Sequence, residues 1–457
     1  MDTILHQICD NFTGEVLNFF GENKKLSVEE IETTLKEKVD AFILNVLKTY
    51  LEQIDQEIVN DKTDRKKKGI VVQRRNDKRE QYTLFGQLTF NRTYFYDKRN
   101  KEYTYLLDKA VGLESYERIS GTVAKQLVEH ASETSYGQSS RHITGGDLSR
   151  QSVMKKLRKL KNLEVSFPAD KRKIKVLYVN ADEDHVSMQD GSKSIVPLIS
   201  IHEGIKRQGR RGKCINPHYI SSHGKDPEEL WLEAAKWIHQ TYDIDSIQRI
   251  YLHGDGARWI KEGLNWLPKA KTVLDRYHLN RAITTVTGRQ PEKRTLIYSA
   301  LTKDSREEFN KAVKKLRQDA RDPKELKKIS DFARYITNNW QEITIHNKEA
   351  CGGSCTEGHV SHILSSRLSS RPMGWSRKGL RVMAELRAYR GSGGKIELKH
   401  LNDTKPKLNL TNKVTSKTKK IFTKAAEERF NNVTILKQGK VMQVFNCLRN
   451  LKNGNFD

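Results

Sequence analysis

Two apolar runs that each end on an aspartate constrain this chain more than any other feature. Ile174-Lys-Val-Leu-Tyr-Val-Asn-Ala181 runs into Asp182, and Arg249-Ile-Tyr-Leu-His-Gly254 runs into Asp255. Short runs rich in β-branched and aromatic residues read as buried strands. Ser194–Ile201 and His218–Ser222 read as further strands. A helix follows over Pro227–Tyr242, bearing Leu230, Leu232, Ala235 and Trp237, then a strand at Ile250–His253, a helix at Trp259–Trp266 and a strand at Lys271–Asp275. Three strands, a helix and a βαβ unit predict an α/β fold: a mixed sheet with helices packed on its faces. Open sheets of this kind gather ligands at the carboxyl ends of their strands, where Asp182 and Asp255 fall. Residues 281–346 are charged helix without an apolar strand run, and read as an insertion before a helical stretch that opens at Glu357.

The charge balance turns those acids into a chemical signal. The formal net charge is +26, yet residues 1–60 hold twelve Asp/Glu against five Lys/Arg, so the rest of the chain carries +33. A surplus of that size marks a protein that meets a polyanion. Carboxylates repel phosphate, so three acids converging in such a chain predict a divalent cation between them. Hard oxygen donors suit magnesium or manganese, here two ions. The five cysteines are too sparse for a disulfide framework. No apolar run reaches membrane-spanning length. These traits predict a soluble, cytoplasmic protein without a membrane partner, and the absence of a P-loop removes ATP from the expectation.

The regions before the predicted sheet divide by pattern. Residues 1–60 are expected as an acidic helical segment, from Leu5, Ile8, Phe12, Val16 and Val39, Ile43, Leu47, Leu51 at helical spacing, suited to oligomerisation. A basic linker at 61–69 opens a small β-sheet region over 61–110, with Ile70–Arg74, Tyr82–Phe85 and Leu88–Tyr96 as strands and Asn76-Asp77 and Gly86 as turns. The sheet is read either as a scaffold or as a DNA contact. Residues 111–165 read as a helix-turn-helix: Tyr136–Ile143, a turn at Thr144-Gly-Gly-Asp-Leu148, Ser149 as N-cap, and a basic helix from Arg150 to Leu160. Val153, Leu157 and Leu160 form its buried stripe. Arg150, Gln151, Lys155, Lys156, Arg158 and Lys159 lie outside it, as DNA contacts or as the polar face of an ordinary helical hairpin. The catalytic region is expected over 172–390, and a basic C-terminal region follows the hinge-like Gly391-Ser-Gly-Gly394 over 391–457.

Four stretches, in order, resemble bacterial insertion-sequence DDE transposases of the ISLre-type group, and more distantly Mutator-type enzymes. They are Asn180-Ala-Asp-Glu-Asp-His-Val-Ser-Met-Gln189, Leu252-His-Gly-Asp-Gly-Ala-Arg-Trp-Ile260, Val273-Leu-Asp-Arg-Tyr-His-Leu-Asn280 and Cys355-Thr-Glu-Gly-His-Val-Ser-His362, the last continuing through Arg367-Leu-Ser-Ser-Arg-Pro-Met-Gly-Trp-Ser376. The resemblance implies an RNase H-like catalytic core with a helical insertion. It also implies Asp182, Asp255 and Glu357 as catalytic and metal-holding residues. Asp184, on the same strand face as Asp182, is the alternative first acid. Asp275 and His278 match an auxiliary D-x-x-H signature, or are a cap and a packed ring at a strand–helix junction.

The activity implied is binding of terminal inverted repeats, cleavage of a phosphodiester at each end, and transfer of the freed 3′-hydroxyl into target DNA by a homodimer or higher oligomer. The setting would be a bacterial nucleoid. A nuclease without strand transfer and a non-catalytic DNA-binding descendant are the rival readings. Arg367, Arg371 and Arg377 read as phosphate contacts or surface charge, and Trp375 as a base-stacking or core residue. Cys351, Cys355, His359 and His362 invite a zinc reading, but at gaps that match no standard finger or ribbon.

Overall fold

The structure, a computed structural model, describes residues 2–401 except 23, 24, 210, 353 and 372, with the side chains of 2–5, 208, 211, 356 and 357 outside the description. The chain divides into two compact units, one over Met1–Gln126 and one over Leu127–His400. Of the expected C-terminal region, residues 402–457 lie outside the described residues.

In the first unit, α1 (Asp2–Glu22) and α2 (Val28–Asn60) confirm the helical spacing. Ser27 starts α2 with a capping box: the Glu30 N–H donates to Ser27 Oγ and the Ser27 N–H donates back to the Glu30 carboxylate, a device that stabilises a helix by about 1 kcal/mol. The expected linker is instead a helix, α3 (Lys62–Lys68), capped by Asp61 and ended by left-handed Gly69. Four of its five basic residues fill the last turn, where the helix dipole favours positive charge. The sheet is antiparallel, in the order β1 (Ile70–Thr83), β2 (Gly86–Asp97), β3 (Glu102–Tyr105). The first two expected strands are therefore one. Asn76 takes a positive φ inside a register shift, a bulge that bends β1 without ending it. Ile54, Ile58 and Val59 of α2 pack under Leu88, Phe90, Phe95 and Leu107, the last from α4 (Leu106–Val111). The helix α5 (Gly121–Ala131) carries the chain across the division.

The second unit begins with α6 (Tyr136–Thr144) and α7 (Arg150–Leu157), joined by the expected turn and capped by Ser149, whose Oγ accepts from the Ser152 N–H. Then come β4 (Val176–Ser187), β5 (Lys193–His202), a small hairpin of β6 (Ile205–Gln208) and β7 (Arg211–Cys214), β8 (His218–Ser221), β9 (Arg249–Gly254) and β10 (Ala270–Leu274). Five of them form one sheet in the order β10-β9-β4-β5-β8. The β4–β9 and β9–β10 pairs are parallel; β4–β5 and β5–β8 are antiparallel.

Alternation along β4 decides what each face does. Leu177, Val179 and Ala181 enter a core with Leu230, Trp231, Ala234 and Ile238 of α8 (Pro227–Thr241). Tyr178 turns to the opposite face, beside Tyr251, Val273, Ile345 and Cys351. After β9 come the short α9 (Arg258–Lys261) and, beyond β10, the expected insertion: α10 (Arg276–Thr287), α11 (Pro291–Thr302), α12 (Arg306–Gln318), α13 (Pro323–Asn338) and α14 (Trp340–Thr344). Its core of Ile297, Phe309, Phe332, Ile336 and Trp340 is continuous with Leu274 and Leu279. The chain returns through α15 (Thr356–His359), a π-helical turn (Val360–Ser365) and α16 (Ser366–Leu368), then α17 (Arg377–Gly391). Gly391, expected in a hinge, is the last residue of α17.

Candidate active site

Strand register brings the acids together. Asn180 pairs with His253 across β4 and β9, and Leu274 pairs with Gly254 across β9 and β10. Continuing each pairing sets Asp182 beside Asp255 and Asp255 beside Asp275. Asp255 and Asp275 directly follow the ends of β9 and β10, whereas Asp182, expected at a strand end, lies inside β4, which runs on to Ser187 paired with β5. His278, one turn into α10, places Nε2 3.7 Å from Asp182 Oδ2. The Asp182 carboxylate beside it, reinforced by the charges of Asp275 and Asp255, pushes the His278 pKa up against its burial. Below the acids on the same face, His253 is buried, and that burial pushes its pKa down to about 4, so a neutral ring forms the floor.

Each acid is held by its own local device. Asp182 Oδ1 accepts the Glu183 N–H at 2.8 Å. Asp255 Oδ1 accepts the Ala257 N–H at 2.8 Å, closing a turn through Gly256, whose φ of +90° suits glycine. A Cβ at Gly256 would lie 2.5 Å from Asn339 Oδ1. From the insertion, the Tyr335 hydroxyl donates to the Asp255 carbonyl at 2.8 Å. The insertion thus braces the loop that presents the second acid. Asp275 caps α10 through the Tyr277 N–H at 2.8 Å, and its other oxygen accepts the Ser354 hydroxyl at 2.6 Å.

That last contact places the third acid's backbone. Ser354 is tied to Asp275, and two residues beyond Glu357 the His359 Nδ1 lies 2.8 Å from Ser200 Oγ on β5. Gly352, at φ +70°, passes so close over Tyr178 that a Cβ would sit 2.6 Å from its ring. Glu357 is therefore fixed on both sides, at the start of a helix that packs on β4. Its side chain is outside the described residues. The π-helical turn follows directly, with the Ser366 N–H reaching back to the Ser361 carbonyl; such turns recur at functional sites.

Asp184 shares the face of Asp182, as alternation predicts, and both are buried. It is engaged differently: Oδ1 accepts the Ser369 hydroxyl at 2.9 Å, while Oδ2 is buried without a hydrogen-bond partner among the described residues. Glu183 points to the other face and accepts the Trp259 indole N–H at 3.1 Å.

The expected DNA contacts separate into two groups. Arg150, Gln151 and Lys155 are exposed on α7, and Lys159 is exposed in the turn after it, the helix ending at Leu157 rather than Leu160. Arg371 and Arg377 are exposed as well. Lys156, expected outside, is buried, because it falls beside Leu157 and Val153 on the packed side of a helix of only two turns. Arg158 donates to Ser376 Oγ at 2.6 Å, tying the end of α7 to the cap of α17. Arg367, expected as a phosphate contact, is also buried. Its Nε donates to the Ala131 carbonyl at 2.9 Å, its guanidinium packs over Tyr136 and Trp375, and burial lowers its pKa to about 10. Trp375 is a core residue, donating to the Leu368 carbonyl at 2.9 Å.

In the first unit the sheet carries a groove of ≈ 960 Å³ lined by Arg74, Lys78, Arg92, Tyr94, Tyr103 and Tyr105, among others. The Arg92 guanidinium lies 3.5 Å over the Tyr105 ring, and Tyr94 stacks on Tyr103 at 5.3 Å. Cations interleaved with rings make a surface that can stack bases and track phosphates.

The zinc reading of Cys351, Cys355, His359 and His362 does not hold as a set. Cys351 is buried beside Tyr251 and Val273, and His362 is exposed. Cys355 and His359 are instead joined by Cys214. Sequence reasoning missed Cys214, Ser354, Tyr335 and Ser369. Only Ser369 falls within a quoted stretch, and each acts across a long chain separation that local spacing does not reveal.

Residues 22–405 match the model of an uncharacterised protein family, UPF0236. Two UPF0236 proteins of Caldanaerobacter subterraneus subsp. tengcongensis are each 37% identical over 459 residues, covering 99% of this chain and 98% or 93% of their own length. A UPF0236 protein of Streptococcus gallolyticus, named for a vanSb 3′ region, is 26% identical over 398 residues, covering 83% of this chain and 86% of its own.

Proposed function

We propose, for a chain that belongs to the uncharacterised protein family UPF0236, that it is a DDE transposase, binding the terminal inverted repeats of an insertion sequence and catalysing DNA cleavage and strand transfer. One observation carries the reading: Asp182 on β4 stands beside Asp255 and Asp275, which follow the ends of β9 and β10, with Glu357 bracketed onto the same face, in a chain of formal charge +26. The sheet order, with its parallel β4–β9–β10 side and antiparallel β4–β5–β8 side, is compatible with an RNase H-like core.

The donor set fits magnesium or manganese, being hard oxygen atoms and including a buried carboxylate oxygen on Asp184 with no hydrogen-bond partner among the described residues. Asp182, Asp255 and Glu357 would hold the ions. When bound, these supply charge for an attacking oxygen and for the leaving one in phosphodiester displacement. The chain itself supplies placement. Asp275 holds Ser354, and through it the approach to Glu357. His278 presents Nε2 toward Asp182, where it can also meet a phosphate oxygen. The nucleophiles are water and then a 3′-hydroxyl, so no side chain forms a covalent intermediate.

The exposed Arg150, Gln151 and Lys155 of α7, with Lys159 just beyond it, are the candidate reader of the inverted repeat. The tyrosine-lined groove, whose cations alternate with Glu80, Asp108, Glu114 and Glu117, is a second DNA contact. Action on two ends calls for at least a dimer. Exposed Leu17, Phe20, Val28 and Val39 on α1 and α2 offer apolar surface for one. Among the described residues no helix is long and apolar enough to cross a membrane, in keeping with a protein that works on the nucleoid. One relative's printed name joins eleven locus designations of a single strain, the multiplicity expected of genes that move themselves.

The test is joining of a pre-cleaved inverted-repeat oligonucleotide to a plasmid with magnesium, by the wild type and by Asp182→Asn, Asp184→Asn, Asp255→Asn and Glu357→Gln. Full activity in Asp255→Asn sinks the mechanism. Loss in Asp184→Asn with retention in Asp182→Asn moves the first acid. Cleavage without joining leaves a nuclease, and binding without cleavage leaves a DNA-binding protein.

A further inference from the structure

A second cluster lies on the same sheet face, built from different chemistry. Cys214 at the end of β7, Cys355 just before α15 and His359 at its end bring one ligand atom each within 4.8 Å of one another. Cys214 Sγ lies 3.3 Å from His359 Nε2. Thiolate and imidazole ligands on a tetrahedral zinc, at about 2.3 and 2.0 Å from the metal, sit roughly 3.5 Å apart. The observed spacing is therefore close to that of a ligand pair.

The second shell agrees. A metal-bound histidine is normally oriented by a hydrogen bond at its other ring nitrogen. His359 Nδ1 lies 2.8 Å from Ser200 Oγ, which also accepts the Asn180 side-chain N–H at 3.3 Å. That leaves Nε2 facing the sulfur. His202, fully buried on β5, has its ring centroid 6.0 Å from that of His359. Its Nδ1 lies 3.1 Å from the Gly204 carbonyl and 3.2 Å from the Gly204 nitrogen, and its Nε2 is buried without a hydrogen-bond partner among the described residues. Its nitrogens are not among the converging ligand atoms, so His202 packs against His359 rather than completing the set.

We propose that Cys214, Cys355 and His359 bind a structural zinc ion that clamps the β6–β7 hairpin to the helix carrying Glu357. Softness sorts the two clusters: thiolate and imidazole select zinc, while the clustered carboxylates select magnesium or manganese. The two zinc ligands on the helical segment, residues 355 and 359, straddle Glu357. The ion would therefore hold the backbone of the third acid without touching its chemistry. The zinc assignment does not depend on the transposase reading, because metal content is measured without DNA.

The experiment is metal analysis of the full-length protein, purified with reductant and without chelator. About one zinc per chain is expected, lost in Cys214→Ser and in His359→Gln and retained in Cys351→Ala. Should Cys214→Ser fail to fold, cobalt titration of wild-type apoprotein decides, through a thiolate-to-cobalt charge-transfer band. Hydrogen exchange adds a positional readout: zinc removal should speed exchange in 205–214 and 356–368 and leave α8 unchanged. Absence of zinc after reconstitution, full zinc retention in Cys214→Ser, a cobalt complex without the thiolate band, or a Cys214–Cys355 disulfide in the freshly purified protein overturns the proposal.

Discussion

The clustered acids and the Cys/His cluster occupy one face of one sheet, yet they answer to opposite rules. The acids are like charges held side by side by register, with His278 Nε2 3.7 Å from Asp182 Oδ2. Such a grouping is destabilising by itself and persists because the strands and the Asp275 and Tyr335 contacts over-determine it. The Cys/His cluster is built of groups that can be neutral, tied to its neighbours by hydrogen bonds and distant in sequence. One cluster spends stability on chemistry, and the other is placed to add stability to the helix between them.

The largest effect expected of that contrast is the loss of strand transfer in Asp182→Asn or Asp255→Asn. Removing a ligand charge should cost about 4 kcal/mol of transition-state stabilisation, or ~10³-fold in rate. The same substitutions relieve repulsion, so the metal-free melting temperature should hold or rise. A fall of several degrees would break the comparison.

Cys214→Ser should do the reverse. In zinc-replete buffer it should lower the melting temperature by several degrees, since a ligand at ~1,000 times its Kd contributes about 4 kcal/mol to the folded state. In chelator it should change nothing. Equal shifts in both buffers would assign Cys214 to packing alone.

Tyr335→Phe sharpens the boundary between positioning and stability. Its hydroxyl makes one bond, to the Asp255 carbonyl, worth about 1 kcal/mol. Strand transfer should fall about fivefold with the melting temperature nearly unchanged. Loss of stability without loss of activity would remove the insertion from the site.

The smallest effect concerns Asp55, a buried carboxylate of the first unit. It accepts the Thr93 N–H at 3.0 Å and its hydroxyl at 2.6 Å, yet burial raises its pKa. The folded state then binds this proton more tightly than the unfolded chain. The resulting stability is present below the unfolded carboxylate pKa of about 3.9 and is lost as pH rises through the raised folded value. Asp55→Asn keeps both Thr93 contacts and should flatten that pH dependence in denaturant titrations, within about 1 kcal/mol at neutral pH.

What the sequence alone determined follows from local rules. Period-2 and period-3.6 patterns located the strands of the mixed sheet, the acidic helices, the charged insertion and the capped α7, because burial of one face writes itself into adjacent residues. The same logic put Asp182 and Asp184 on one face and Glu183 on the other. It failed where a local signal was overridden. Asn76 reads as a turn but sits in a bulge within β1, and the lysine-rich linker is a helix because its charges suit a helix C-terminus.

The tertiary structure decided everything that depends on two distant segments meeting. Arg367 reads as a surface cation until Tyr136, Trp375 and the Ala131 carbonyl close around it. Cys214 has no meaning until a hairpin carries it to His359, 145 positions further along the chain. Asp275 reads as a helix cap, and only the strand register makes it the neighbour of Asp255. A side chain's partner along the chain is fixed by spacing, whereas its partner across the fold is fixed by which strands pair and in what register.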